Sequence, residues 1–260
     1  MVIKALLIDI DGVLSIGDQP IPGAPDAIRW LDEEGIRYRF VSNSTQRSRK
    51  LIAERLNRIG FSITPDQIST PVIAALRLLE EKEISQCHLL MTDAARSEFL
   101  DAGIAYAERG AEAVIVGDAG VGFTFDALNL AFRQIKDGAS LIALERDRYW
   151  MAPDGLTLGA GPFVAALEYA SGTTARVMGK PSPDAFLQAL ALMGTSPEET
   201  AMIGDDIRTD IAGAQAAGLF GVLVKTGKYS DQVLKESSFT PDRTLPSIAF
   251  VRNLFDALRR

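Results

Sequence analysis

Asp9 and Asp11 stand at the end of the almost unbroken apolar run that begins at Val2, and Gly12-Val13-Leu14 follows them. Two carboxylates separated by one residue repel each other by about 4 kcal/mol at a spacing of ~4 Å and an effective dielectric of ~20. A bound cation relieves that repulsion, with a raised pKa as the alternative. Three further polar sets also follow short strand-like runs: Ser42-Asn43 after Ile36 to Val41, Lys180 in Val177-Met178-Gly179-Lys180-Pro181, and Asp205-Asp206 after Thr200 to Ile203, with Asp210 downstream. Acids, a hydroxyl, an amide and an ammonium of this kind suit a cation-dependent reaction on an anionic substrate.

Such groups work together only if the elements before them share one sheet. The first apolar run reads as a central parallel strand buried on both faces, because it shows no polar alternation. Ligands of open α/β sheets lie beyond the carboxyl ends of the strands, which is where Asp9 and Asp11 would stand. Helices are expected from Pro25 to Glu34, from Gln46 to Ile59 with Leu51, Ile52, Leu56 and Ile59 on one face, from Pro183 to Met193, from Ile211 to Ala217 and from Leu245 to Leu258. The strands expected between them are Ile36 to Val41, Thr200 to Ile203 and Phe220 to Val224. Between about residues 74 and 175 the alternation continues, with strands near His88 to Met91, Ala113 to Val116 and Ser140 to Ala143 and helices near Ala94 to Ala102 and Thr124 to Ile135. None of these strands ends in a carboxylate pair. The expected organisation is therefore an α/β Rossmann-like parallel-sheet core over 1–73 and 176–260, with a smaller α/β domain inserted over 74–175.

Composition narrows the function classes. The chain has 260 residues, 47% hydrophobic and 23% charged, within the ordinary globular range. A net charge of −7 with no basic stripe argues against a nucleic-acid partner. No apolar stretch approaches the ~18 residues of a membrane span and no secretory leader is visible, so no membrane partner and a cytoplasmic location are expected. The single cysteine, Cys87, allows neither an internal disulfide nor a zinc cluster. An EF-hand is excluded because Gly12 falls at loop position four and Pro20 at position twelve. No G-x-G-x-x-G follows the first strand, which excludes a dinucleotide fingerprint. His88, the only histidine, falls in an expected strand of the insertion, which suits packing better than Ser-His catalysis.

Singly, each polar set has an ordinary reading as a turn, a helix cap or a surface lysine. In order, Asp-x-Asp-Gly-Val, hydrophobic-Ser-Asn, Gly-Lys-Pro and Gly-Asp-Asp with a further Asp closely resemble the motifs of the haloacid dehalogenase superfamily, over essentially the whole chain. The resemblance implies a phosphatase that uses Mg²⁺ and an aspartyl-phosphate intermediate. Asp9 would be the nucleophile and a metal ligand. Asp11 would be the general acid and base, its backbone carbonyl touching the metal. Ser42 and the Asn43 amide would bind phosphoryl oxygens, Lys180 would neutralise charge, and Asp205 would be a further ligand. Asp206 and Asp210 would orient metal waters or Lys180. Mg²⁺ fits an all-oxygen site of one or two carboxylates, water and substrate phosphate. The reading from another class is a non-catalytic phosphate-binding or regulatory module, which loss of Asp9, Asp11 or Lys180 would have favoured.

The insertion resembles the cap of class II, subclass A. Val114-Ile115-Val116-Gly117-Asp118, Phe123-Thr124-Phe125 and Gly161-Pro162-Phe163 look closest to the phospholysine phosphohistidine inorganic pyrophosphate phosphatase branch. A cap of that size implies a small phosphorylated substrate, with Asp118, Arg146, Arg148, Tyr149 and Trp150 as candidates for selecting it. Analogy with caps of this class extends to a homodimer formed through the cap.

Overall fold

The computed structural model describes residues 3–152 and 155–258. Contacts divide the chain into two compact units, one made of residues 1–42, 49–69 and 180–260 and the other of 43–48 and 70–179.

The first unit is built on a six-stranded parallel sheet. Its order is Arg243–Leu245, Phe220–Val224, Thr200–Gly204, Ala5–Ile8, Arg37–Val41, Ile68–Ser69. From Ala5–Ile8 the chain builds outward on one side, then returns to place Thr200–Gly204 on the other. The order therefore reverses between these two central strands, the position at which open α/β sheets form a crevice. Side chains alternate along a strand, and here both faces are covered. Leu6 and Ile8 pack into a cluster with Ile28, Leu31, Ile52, Leu56 and Leu254, whereas Leu7 points into one with Phe186, Leu190, Met202 and Ala214. That double burial is why the first strand reads as continuous apolar sequence.

The second unit has its own five-stranded parallel sheet, ordered Arg176–Val177, Ser140–Ala143, Ala113–Val116, Gln86–Leu90, Ala105–Tyr106. Helices Pro71–Glu81 and Asp93–Asp101 cover one face and Phe125–Lys136 and Gly161–Ser171 the other. The expected borders at 73/74 and 175/176 differ from the observed ones. Helix Pro71–Glu81 buries Val72, Ala74 and Ala75 in the second unit's core, and Arg176–Val177 is an edge strand of its sheet. His88 and Cys87 are both buried in strand Gln86–Leu90. No described helix is long and apolar enough to cross a membrane.

Other elements depart from the sequence reading for local reasons. Leu51 is exposed, and the buried positions of helix Arg49–Arg58 are Ile52, Ala53, Arg55 and Leu56. The expected helix from Leu245 is replaced by edge strand Arg243–Leu245, a 3₁₀ turn at Ile248–Phe250 and helix Val251–Leu258. Pro246 biases Leu245 to extended backbone, and the Ser247 side chain accepts from the Ala249 N–H to start the next turn. The helix expected at Ile211 begins earlier, as a π-helical turn Ile207–Ala212 that runs into Gly213–Ala216. Its start is fixed by the Asp206 carboxylate, which accepts from the Arg208 and Thr209 N–H groups. Between Glu145 and Pro162, Tyr149–Ala152 and Gly155–Leu158 pair antiparallel.

Candidate active site

Asp9 is the first residue past strand Ala5–Ile8 and is buried, its N–H donating to the Ile203 carbonyl of the neighbouring strand at 2.9 Å. Asp205 directly follows that neighbour, so two acids far apart in sequence emerge side by side at the sheet's reversal point. Lys180, 171 residues from Asp9, donates from Nζ to Asp9 Oδ1 at 2.5 Å, to Asp210 Oδ1 at 2.7 Å and to the Val41 carbonyl at 3.2 Å. Asp210 Oδ2 accepts from the backbone N–H groups of Asp205 and Asp206 at 3.2 and 3.1 Å. The π-helical turn thus folds Asp210 back under the acid loop.

Carboxylate oxygens of Asp9, Asp205 and Asp210 lie within 4.8 Å of one another, and all three residues are buried. With the Lys180 ammonium, the group carries a formal charge of −2. A compact, all-oxygen donor set short of two positive charges fits a hard divalent cation of the Mg²⁺ kind. Without one, burial pushes the Asp9 carboxyl up to about 8; Lys180 opposes this and Asp210 and Asp205 reinforce it. Asp205 is likewise raised by burial, to about 6, against the pull of its hydrogen bond from the Lys228 N–H. Burial alone would lower Lys180, but Asp210 and Asp9 outweigh it and hold the ammonium above the usual lysine range.

Two glycines permit this approach. Gly12 (φ +89°) and Gly227 (φ +60°) flank the Asp205 carboxylate, and a Cβ on either would stand 1.9 Å from its Oδ2. Both need the left-handed region that glycine enters without penalty. Between them Thr226 Oγ1 donates to the Gly12 carbonyl at 2.6 Å, and the Lys228 N–H donates to Asp205 Oδ2 at 2.7 Å.

The remaining expected residues are placed as follows. Ser42 is buried at the tip of strand Arg37–Val41, its N–H donating to the Ser69 carbonyl at 3.0 Å. Asn43 falls in the 43–48 segment grouped with the second unit. Asp206 caps the π-helical turn and lies 3.9 Å from the Lys228 ammonium. Asp11 is not in the acid cluster. Its side chain is 65% exposed and accepts at Oδ1 from Arg55 Nη2 at 3.0 Å. Within the second unit, Asp118 is buried and clasps the 43–48 segment, accepting from Gln46 Nε2 at 2.8 Å and from the Gly120 N–H at 2.9 Å. Arg146 pairs with Glu168 at 2.6 Å, while Arg148, Tyr149 and Trp150 are exposed.

Sequence reasoning missed Arg55, which lies outside the face of Leu51, Ile52, Leu56 and Ile59 expected for its helix yet is buried. The signal was its position three residues after Ile52 and directly before Leu56, on the core-facing side.

Residues 6–105 match the family described as haloacid dehalogenase-like hydrolase, and residues 177–250 match one described as HAD-hydrolase-like. The haloacid dehalogenase-like hydrolase domain-containing protein 2 of Bos taurus is 47% identical over 227 residues, 87% of this chain and 86% of that protein. The chain belongs to the haloacid dehalogenase-like hydrolases. This hydrolase is also 38% identical over 254 residues to the phospholysine phosphohistidine inorganic pyrophosphate phosphatase of Xenopus laevis, covering 95% of this chain and 92% of that one. A p-nitrophenyl phosphatase structure from Archaeoglobus fulgidus aligns with a TM-score of 0.90 at 30% identity, over 99% of this chain and all of the other.

Proposed function

We propose that this hydrolase is a Mg²⁺-dependent phosphatase that removes the phosphoryl group of a small phosphorylated metabolite through an aspartyl-phosphate on Asp9. The observation that carries the reading is the Lys180 ammonium bridging Asp9 and Asp210 inside a buried acid trio at the sheet's reversal point. Support for phosphate as the leaving or transferred group comes from relatives named as phosphatases of p-nitrophenyl phosphate and of phospholysine, phosphohistidine and pyrophosphate.

Asp9, Asp205 and the Asp11 carbonyl would hold the metal, with Asp210 held against Lys180 and the loop amides. When bound, Mg²⁺ supplies the positive charge that offsets the trio and draws electrons from the phosphoryl group. An ionised Asp9 oxygen attacks phosphorus as the ester P–O bond breaks, and Asp11 gives its proton to the departing oxygen. Asp11 then takes a proton from water as that water attacks phosphorus. The bond from phosphorus to Asp9 breaks, releasing inorganic phosphate and restoring the carboxylate. Ser42, the Asn43 N–H and Lys180 would hold the phosphoryl oxygens throughout.

Turnover of p-nitrophenyl phosphate with Mg²⁺, with EDTA and in Asp9→Asn tests this. Activity lost in both of the latter is expected. Phosphate binding without turnover in any sample would make the chain a non-catalytic phosphate-binding module.

A further inference from the structure

Arg55 is an arginine at a core-facing position of an amphipathic helix, 8% exposed at its side chain. Burying a guanidinium is unfavourable unless fixed partners answer it. An apolar side chain at this position would join the cluster around Ile52 and Leu56 with no such penalty. The guanidinium instead leaves its helix for the segment just past the catalytic strand. Nη2 donates to Asp11 Oδ1 at 3.0 Å, while Nη1 donates to Ser15 Oγ at 3.1 Å and to the Gly17 carbonyl at 2.6 Å. Ser15 is fully buried and opens the short hairpin in which Ser15 pairs with Pro20 and Ile16 with Gln19. Nε is buried with no hydrogen-bond partner among the described residues, so two amino groups carry all of the polar contact.

The asymmetry at Asp11 matters most. One carboxylate oxygen is held by the planar fork of an arginine that is itself immobilised by the hairpin, and no partner among the described residues holds the other. An exposed aspartate on a strand-end loop would otherwise sample several rotamers. We propose that Arg55 is a positioning residue that fixes the direction in which Asp11 presents its free oxygen, and so governs proton transfer to the departing group. The inference rests on the phosphatase reading and names one more residue of that same site.

Fixing a general acid matters more as the leaving group becomes more basic, because a poor leaving group depends on receiving its proton during bond cleavage. The test compares kcat/KM for p-nitrophenyl phosphate and for unsubstituted phenyl phosphate, with saturating Mg²⁺. Variants are Arg55→Met, Arg55→Lys, Asp11→Asn and the double variant Asp11→Asn/Arg55→Met. Arg55→Met is expected to lower kcat/KM about tenfold more for phenyl phosphate than for the nitrophenyl ester, and to change KM less than threefold. On the Asp11→Asn background the same substitution should change activity less than twofold, because the group it acts through is gone. Arg55→Lys keeps a charge but lacks the fork, so it should show a weaker skew in the same direction. It carries the comparison by itself if Arg55→Met does not fold. Equal losses on both esters, or an undiminished effect on the Asp11→Asn background, would make Arg55 a structural pin and overturn the proposal. A wild-type protein inert toward both esters overturns the phosphatase reading and this inference together, whereas an active wild type without the skew overturns only the role of Arg55.

Discussion

Replacing Lys180 by methionine probes the charge balance of the site directly. The substitution keeps an unbranched side chain of similar length but removes the donor to Asp9 at 2.5 Å and to Asp210 at 2.7 Å. The cluster's formal charge falls from −2 to −3, with all three carboxylates buried. Removing one partner of a buried ion pair typically destabilises by about 3–5 kcal/mol, because the other is left uncompensated. With a urea slope of about 2 kcal/mol per molar, the unfolding midpoint of the first unit should fall by about 2 M. Trp30 reports on that unit, since its ring lies 5.8 Å from Phe255 and under the Arg252 guanidinium at 5.1 Å. A Trp150→Phe background removes the second unit's signal. The gap between Lys180→Met and the parent should be widest in EDTA near pH 8. It should narrow with Mg²⁺, and also near pH 5, because Lys180 is what pulls the Asp9 carboxyl down and without it the buried acid keeps its proton. Midpoints that agree within ~0.3 M in EDTA, or a gap that Mg²⁺ leaves unchanged, would refute the reasoning.

Further predictions follow from the same geometry. Gly227→Ala puts a methyl group 1.9 Å from Asp205 Oδ2 at φ +60°, so the carboxylate must move; the Mg²⁺ concentration for half-maximal activity should rise at least about tenfold, alongside ~1–2 kcal/mol of backbone strain. In the second unit, burial pushes Glu145 up to about 7 although it accepts hydrogen bonds from the Asp147 and Ala160 N–H groups. An acid raised on folding binds more protons in the native state, so its stability contribution is complete below pH ~4.5 and falls as pH rises toward 7, by about 3 kcal/mol in all. Glu145→Gln should therefore flatten the thermal stability of the second unit between pH 5 and pH 8, and a profile as steep as wild type would assign the pH dependence to another group. Asp9→Asn should abolish turnover while leaving the melting temperature in EDTA unchanged or higher, because a buried, repelled acid becomes neutral.

Much of this site was legible in the sequence because local rules suffice to expose it. An apolar run of strand length with no alternation, bounded by turn residues, suits a doubly buried strand, which puts the polar residue that ends it at a strand tip. Asp9 and Asp205 stand out in this way, Ser42 follows the alternating run Ile36 to Val41, and the Gly-Lys-Pro segment carries Lys180. Single-residue boundaries were less legible where two local signals compete. At Leu245 a helical pattern lost to the extended preference imposed by Pro246, and at Ile207 the cap from Asp206 started the helix before its apolar pattern.

What the chain determined by itself was the identity of the strand-end residues and their grouping at strand tips. Which of them meet was decided by tertiary structure. Thr200–Gly204 pairs beside Ala5–Ile8 only in the assembled sheet, and no periodicity in either segment encodes that neighbour. The same holds for Asp210, drawn under the acid loop by two backbone amides and one ammonium, and for Arg55, a charge on a core-facing position answered by Asp11 and the hairpin. Burial of a charged group is set by its distant partners, whereas helical and strand period are set by neighbours a few residues away, and sequence reports the second far more directly than the first.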